Sequence, residues 1–347
     1  MDSELIAIDG APVTNGQFGK GLLLGGALFM VLWGIAFGFS LGRPHVNNAW
    51  VDQAYEKKFE RVDELGPRPK VIVVAGSAAM FGIDSRQLGL ALDRPVVNLG
   101  VNAGIGPIHI IERVRSAINP GDTVLLPLEY PLYIFDWDIN QVFLDYLLSY
   151  PQSIVSEPWH FWPRVLWLTS LERVYQAYHG IPDDFHVQGL YGPHNLDRNG
   201  DQINSALSDR VASIHAGALN SQVERYGRVF KREAHGWRLW RKFHRDIVGQ
   251  GSCVLFVPPP MLDRAEYHDD PEEGLFYRHF ADIVREAGLP YAGQPYDFMY
   301  PADWFFDTNY HLVAERKSSY TQAVAALTQS QALPCLASGL LLDVGVD

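Results

Sequence analysis

An uninterrupted apolar run near the N-terminus constrains this chain more than any other feature of its sequence. Between Gly21 and Gly42 the segment GLLLGGALFMVLWGIAFGFSLG contains no charged residue, and Lys20 and Arg43 bracket it. About 20 apolar residues in a helix, at roughly 1.5 Å of rise each, span the hydrocarbon core of a bilayer. A cleaved signal peptide is one alternative, but the run is long and the preceding tail is acidic. A buried helix of a soluble core is a weaker one, since such helices rarely avoid charge for 22 residues. We therefore predict an uncleaved membrane anchor over residues 21–42.

The orientation of this anchor follows from what lies on either side of it. A short tail, residues 1–20, precedes it and a large region follows, which is typical of a signal anchor that exports its domain. The flanking basic residues are balanced, so the positive-inside rule does not decide the matter. We expect a single-pass protein of the inner (cytoplasmic) membrane with its domain on the periplasmic or extracellular side. The spacing of Cys253 and Cys335 leaves open whether they pair.

The overall composition is that of a folded, acidic protein. The chain has 347 residues, of which 47% are hydrophobic and 12% aromatic, and this excludes a disordered chain. Its 28 basic residues face 40 acidic ones, giving a formal charge of -12. Binding to nucleic acid needs clustered Lys and Arg, so we expect no nucleic-acid partner.

Beyond the anchor, β-branched runs alternate with helical patterns. Residues 43–68 are polar and predict a stalk or linker, after which strand-like segments begin. The predicted strands lie at 71–74, 95–99, 122–128, 253–257 and near 289–298. Such alternation predicts βαβ units and a parallel sheet, so we expect an α/β domain over residues 69–330 and a C-terminal tail over 331–347.

A segment of about residues 140–250 interrupts this alternation. It is aromatic-rich, then Gly- and Asn-rich, and it ends in a helical pattern from about Ser205 to Val248. We interpret it as a helical insertion or cap. Its aromatic cluster comprises Trp159, Phe161, Trp162 and Trp167. The cluster could stack on sugar rings, but packing inside the cap or an interfacial belt is more typical of such residues, and we favour packing.

Ser77 is the first candidate for chemistry, because Gly76-Ser77 directly follows the first predicted strand. In doubly wound sheets the carboxyl ends of the strands hold the site, and backbone N–H groups there can stabilise an oxyanion. A helix N-cap serine is the alternative. No Gly-Lys follows, which excludes a P-loop, and Ala79 excludes the nucleophile elbow of α/β-hydrolases.

Asp307 and His311 form the second candidate, at the start of a helical pattern over 307–327. Side chains four residues apart on a helix lie on one face and can touch. A carboxylate that orients an imidazole is the usual means of activating a serine hydroxyl. An N-cap aspartate with a surface histidine is the alternative.

The third candidate is the loop NLGVNAGIG after the second strand. Gly100 allows close approach of the backbone, and Asn102 offers an amide donor. The glycine spacing is not that of the dinucleotide fingerprint, so a nicotinamide cofactor is rejected. Neither His186 nor His194 has metal-ligand spacing. We predict no metal site and no cofactor.

The order of these segments resembles that of the SGNH-hydrolase superfamily. AGSAAMFGIDSRQL is similar to its first block in the membrane-anchored acyltransferase branch, NLGVNAG to the second, VLLPLEYPLY to the third and FFDTNYHL to the last. The resemblance covers about residues 69–330 without the insertion. That branch contains bacterial polysaccharide O-acetyltransferases related to those of alginate, and the D-alanylation protein of teichoic acids.

The resemblance implies a three-layer sandwich with a mainly parallel, flavodoxin-like sheet. It also implies that Ser77 is the nucleophile, His311 the general base and Asp307 its orienting carboxylate. The oxyanion hole would comprise the backbone N–H groups of Ser77 and Gly100, with the amide of Asn102.

Two departures from the family pattern concern this site. The usual motif is Asp-x-x-His, but Thr308 stands three residues before His311 and the aspartate stands four before. The third-block asparagine is absent, and Glu129 occupies that neighbourhood as a candidate site-lining residue.

The sequence thus predicts a serine O-acyltransferase that acetylates an extracellular or cell-wall polysaccharide through an acyl-Ser77 intermediate. Its expected partners are the membrane, the polysaccharide acceptor and a multipass membrane O-acyltransferase that passes on the acyl group. A carbohydrate or lipid esterase with the same triad is one alternative. A catalytically inactive SGNH-like scaffold in a polysaccharide synthesis or export complex is another.

Overall fold

The computed structural model describes residues 15–154 and 161–337, and it begins with a long apolar helix. Helix α1, Asn15–Ser40, contains a 23-residue stretch, Phe18–Ser40, that is long and apolar enough to cross a membrane. The predicted anchor therefore forms one helix, which ends two residues earlier than residue 42. The tail at residues 1–14 and Trp159 lie outside the described residues.

Four strands form a parallel sheet in the order β2-β1-β3-β4. The strands of this sheet are β1 Val71–Val73, β2 Val96–Asn98, β3 Thr123–Leu126 and β4 Cys253–Phe256. Nearly every residue in them is buried, which explains their continuous runs of β-branched and apolar residues. The α/β class and the parallel sheet predicted from the sequence are confirmed.

The segment near 289–298 does not form the predicted strand. It makes one parallel bridge, from Tyr291 to Phe256, and then a 3-10 turn at Pro295–Phe298. Proline lacks the N–H that a ladder needs, and Pro290 and Pro295 bracket the bridge. A separate parallel pair is formed by β5 Met261–Leu262 and β6 Met299–Tyr300.

Helices connect and cover the sheet. Up to β4 they are α2 Val46–Leu65, α3 Ser77–Gly82, α4 Ser85–Leu92, α5 Gly106–Arg115, α6 Tyr130–Ile134, α7 Gln141–Ser149, α8 Phe161–Leu168, α9 Leu171–His179, α10 Ala212–Leu219, α11 Tyr226–Val229 and α12 His235–Gly249. After β4 they are α13 Ala265–Asp269, α14 Pro271–Glu286, α15 Ala314–Ser330 and α16 Pro334–Ala337.

Helix α2 replaces the stalk predicted over residues 43–68. Its apolar stripe, including Val51, Tyr55 and Val62, is buried in the main core. These positions recur at the 3.6-residue period of one helix face, and most of the charged residues lie on the other, whereas Lys58 is buried with the apolar residues. The segment is an integral part of the domain rather than a linker, because that apolar face must be covered.

The insertion between β3 and β4 is helical, but the single long pattern from Ser205 to Val248 is broken into α10, α11 and α12. Asn220 and Ser221, which have low helix propensity, follow α10 directly. Of the aromatic cluster, Phe161 is buried against α7 and Trp162 packs beside it, as predicted. Trp167 is instead exposed.

The topology creates a switch point at the carboxyl ends of the strands. From β1 the chain runs to β2 on one side and then returns to β3 on the other, so the order reverses between β1 and β3. Such a switch point is where open α/β sheets bind their ligands. At the opposite end of the sheet, Cys253 and Cys335 form a disulfide that joins β4 to α16 and settles the pairing left open above.

Candidate active site

Ser77 lies at this switch point, as the first residue of α3 directly beyond β1. Its backbone N–H has no partner within the helix, since the first turn of a helix leaves its donors free. A side chain at Gly76 would collide with the backbone of Ala103 and the carboxylate of Glu129. Glycine before the serine is therefore required by close packing, and the turn presents the Ser77 side chain partly exposed.

Glu129 holds this turn from the end of β3. Its Oε2 accepts the N–H of Gly76 at 2.9 Å and its Oε1 accepts the N–H of Ala78 at 2.8 Å. Burial raises the pKa of the Glu129 carboxyl, and the two backbone donors and the charge of His311 offset only part of that effect. One carboxylate thus clamps both neighbours of Ser77 and positions its turn.

Asp307 and His311 are in contact. His311 Nδ1 lies 2.6 Å from Asp307 Oδ1. The sequence pattern placed the pair at the start of a helix, but α15 begins only at Ala314, so the pair precedes the helix. It lies in a loop closed by an antiparallel bridge between Phe305 and Leu312. The loop brings the two side chains together despite the four-residue spacing.

Tyr191 from the insertion is a second partner of the aspartate. Its hydroxyl donates to Asp307 Oδ2 at 2.6 Å and lies 3.4 Å from His311 Nδ1. Burial would raise the pKa of the Asp307 carboxyl, but the hydrogen bond and charge of His311 and the Tyr191 hydroxyl hold it below its usual range. Phe81 stacks on the imidazole at 4.0 Å between ring centroids, so the His311 ring is fixed in plane as well as in direction.

A pocket of about 380 Å³ joins these groups. Its lining residues are Trp50, Ser77, Asn102, Ala103, Glu129, Pro131, Tyr191, Glu224, Thr308, Tyr310 and His311. Serine, histidine, Asn102 and Glu129 thus share one cavity, with Asp307 behind the histidine. Two carboxyl groups, those of Glu129 and Glu224, line this pocket, which disfavours an anionic ligand.

The structure divides the predicted oxyanion hole. Asn102 Oδ1 accepts the N–H of Gly104 at 2.7 Å, which leaves its Nδ2 as a donor on the pocket wall. The backbone N–H of Gly100, which was expected to point into the oxyanion hole, instead donates to Asn98 Oδ1 at 3.0 Å. The role of this glycine is steric, since a Cβ there would lie 2.6 Å from the carbonyl oxygen of Gly76. The available donors are therefore the Ser77 N–H and the Asn102 amide.

Several residues of this pocket were not among the candidates from the sequence. Trp50 comes from α2, Tyr191 from the Gly-rich part of the insertion and Glu224 from the segment before α11. Glu224 accepts a hydrogen bond from Tyr226, and burial raises the pKa of its carboxyl. None of these residues stands in a recognisable motif of the sequence.

A second pocket of about 480 Å³ adjoins the first, and Trp50 and Tyr191 line both. Amide side chains are prominent in its wall, namely Asn47, Asn48, Gln141 and Gln188. Room for a ligand therefore extends beyond the serine and histidine toward the start of α2. Within residues 15–154 and 161–337, no group of three or more His, Cys, Asp or Glu side chains is placed to hold a metal ion.

Comparison with known proteins found no matching family model, no matching curated protein and no matching solved structure.

Proposed function

We propose that this protein is a membrane-anchored serine O-acyltransferase that acetylates a hydroxyl of an extracytoplasmic polysaccharide. The observation that carries the proposal is the shared pocket of Ser77 and the Asp307–His311 pair at the switch point of the sheet. A buried carboxylate on Nδ1 leaves Nε2 as the imidazole nitrogen that can take a proton from the serine.

The chemistry takes two steps. Ser77 Oγ attacks the acyl carbonyl of a donor ester while His311 takes the hydroxyl proton and passes it to the departing alkoxide, which leaves as an alcohol. The acceptor hydroxyl then gives its proton to His311 and attacks the acyl-serine, and Ser77 recovers the proton. The Ser77 N–H and the Asn102 amide would stabilise the oxyanion in both steps. No cofactor is needed.

The same proposal gives the domain an SGNH-type three-layer sandwich. Strands β1, β2 and β3 are buried throughout, which requires cover on both faces of the sheet. The helices fall into two groups that support such cover: α4 contacts β2 and α15, whereas α12 contacts β4 and α5.

The proposed location is the inner membrane with the domain on the periplasmic side. Helix α1 is long and apolar enough to span the bilayer. Both cysteines of the chain are paired, and disulfides persist in oxidising compartments outside the cytoplasm. A site close to the membrane suits an acyl donor delivered by a multipass membrane O-acyltransferase.

The test starts with the full-length protein in bilayer discs and a fluorophosphonate probe, which labels activated serines. We expect labelling at Ser77, identified by peptide mass spectrometry. The label should be lost in Ser77→Ala and greatly slowed in His311→Ala. Ser318→Ala, on α15, is the control and should label like the wild type. An unlabelled but folded wild-type protein would favour the inactive scaffold.

Transfer is then separated from hydrolysis. With para-nitrophenyl acetate as donor and neutral glucose oligosaccharides as acceptors, we expect acetylated oligosaccharide that depends on Ser77. Acetate released only to water, whatever glycan is offered, would indicate the esterase instead. In cells, polymer acetylation that is unchanged by Ser77→Ala would refute the acyltransferase.

A further inference from the structure

The outer side of α9 carries an apolar and aromatic stripe. Leu171, Tyr175 and Tyr178 follow one another at spacings of four and three residues, which places them on one helix face. Their exposed fractions are 74%, 64% and 67%, and Trp167 at the end of α8 is 87% exposed. Large apolar side chains grouped in this way mark an interaction surface, because monomeric soluble proteins rarely expose large contiguous apolar patches.

This stripe is continuous with the last turn of α1. Tyr178 packs on Phe39 with 5.6 Å between ring centroids, and α9 lies against α1. The guanidinium of Arg43 sits 3.8 Å over the same Phe39 ring, at the polar end of the apolar helix. The inner face of α9 is anchored by Arg173, which is buried and donates to the carbonyl oxygen of Arg43. Trp162 of α8 also packs on Phe37 of α1, so α8 and α9 are both held beside the C-terminal end of the apolar helix.

We infer that the stripe formed by Trp167, Leu171, Tyr175 and Tyr178 lies in the interfacial layer of the bilayer that α1 spans. The inference rests on the proposed anchoring by α1. Trp and Tyr prefer this layer, because their rings enter the acyl boundary while their polar atoms stay hydrated. The lipid surface is favoured over a protein partner because Phe39, which the stripe contacts, belongs to the apolar helix itself.

A second, fixed contact with the bilayer sets the height of the active site. Trp50 lines the pocket and stands ten residues after Ser40, the end of α1. Extended residues up to Val46 and one helical turn beyond it span at most about 27 Å. A domain that rests on the membrane through α8 and α9 keeps its pocket within that reach, where a donor arriving from a membrane partner can enter it.

The test is spin-label accessibility in the full-length protein, reconstituted in discs of phosphatidylcholine and phosphatidylglycerol. The native cysteines form a disulfide, so a single introduced cysteine is labelled uniquely. Leu171→Cys reports on the stripe, and Leu90→Cys is its matched control, since Leu90 is equally exposed at 76% on α4. Leu28→Cys, in α1, reports on the anchor. Oxygen, which concentrates in lipid, is compared with a water-soluble nickel complex.

We expect the ratio of oxygen to nickel accessibility to be several-fold higher at position 171 than at position 90, and highest at position 28. A water-like ratio at 171 with a lipid-like ratio at 28 would overturn the inference while leaving the anchor intact. Shielding of 171 from both reagents would also overturn it and would indicate a covering protein. A water-like ratio at 28 would refute the anchor and the inference together.

Discussion

The carboxylate of Asp307 is shared between two partners from distant parts of the chain. Oδ1 contacts His311 in the same loop, whereas Oδ2 accepts the hydroxyl of Tyr191 from the insertion. The two hydrogen bonds therefore fix the orientation of the Asp307 carboxylate, and the carboxylate in turn orients the imidazole of His311. The insertion is thus a structural contributor to the site and more than a lid over it.

Replacing Tyr191 by Phe removes one of these two bonds. We expect kcat for para-nitrophenyl acetate to fall about ten- to a hundredfold with KM unchanged, since a hydrogen bond to a charged group contributes roughly 1.5–3 kcal/mol. Tyr175→Phe, on the exposed stripe of α9, is the control and should leave kcat unaltered. A Tyr191→Phe enzyme that matches the wild type, or one in which only KM rises, would show that Tyr191 does not orient the aspartate.

The pairing of Asp307 with His311 was predictable at the residue scale, but its setting was not. Four-residue spacing brings side chains together on a helix, and here a hairpin-like loop achieves the same contact. Tyr191 could not be identified, because its 116-residue separation from Asp307 leaves no local pattern. Likewise, the spacing of the glycines does not show that the Asn98 side chain turns toward Gly100 and accepts its N–H.

At the scale of elements, a buried lysine joins helix α2 to the carboxyl end of strand β2. Lys58 Nζ donates to the carbonyl oxygen of Asn98, at the end of β2, at 2.8 Å, and also to that of Gly200. The Asn98 side chain in turn donates to the carbonyl oxygen of Ala79 in the serine helix. Helix α2 is therefore coupled to the turn that carries Ser77 through two hydrogen-bonded residues.

This lysine gives the fold a pH dependence. Burial lowers the pKa of Lys58 to about 7, against roughly 10.4 in an unfolded chain. Between these values the unfolded chain binds more protons, so the free energy of unfolding rises with pH by up to about 1.4 kcal/mol per unit. We expect denaturant unfolding at pH 7, 8 and 9 to show a smaller rise for Lys58→Met than for the wild type.

The control for this measurement is Lys57→Met, which alters the neighbouring, partly exposed lysine that pairs with Glu60. Its stability should rise with pH as in the wild type. Equal slopes for the wild type and Lys58→Met would mean that the buried ammonium does not titrate in this range. The slope is the decisive readout, because a purely structural loss would lower stability by the same amount at each pH.

At the scale of the whole molecule, one covalent link closes the domain. The disulfide joins residues that are 82 positions apart, Cys253 at the start of β4 and Cys335 in α16. Restricting the unfolded chain over such a loop is worth about 4.5 kcal/mol in the chain-entropy description. We expect the double variant Cys253→Ser/Cys335→Ser to unfold at correspondingly lower denaturant concentration than the oxidised wild type.

Reductant provides the check on this disulfide prediction. The wild type, once reduced, should unfold like the double variant, whereas the variant should be insensitive to reductant. Equal stability of the oxidised wild type and the double variant would contradict the prediction.

The elements that follow from local pattern were largely predictable from the sequence. Local pattern was sufficient for the apolar helix α1 and for the four strands of the parallel sheet, because the period and polarity of neighbouring residues determine such elements. These strands are 71–73, 96–98, 123–126 and 253–256. The candidate serine could be named because it follows a predicted strand, and the candidate histidine because it stands four residues after an aspartate at the edge of a helical pattern. The burial of α2 was missed, since an amphipathic helix looks the same whether its apolar face meets solvent, membrane or core.

The sequence by itself therefore determined the anchor-like helix, the α/β class and which serine, histidine and aspartate are candidates for a site. Only the tertiary structure decided how they meet. It placed Ser77, His311, Tyr191 and Trp50 around one pocket. It also paired the N–H of Gly100 with Asn98 and placed the α9 stripe beside α1. The physical reason is that secondary structure depends on neighbours along the chain, whereas a site depends on contacts between residues far apart in sequence that packing alone brings together.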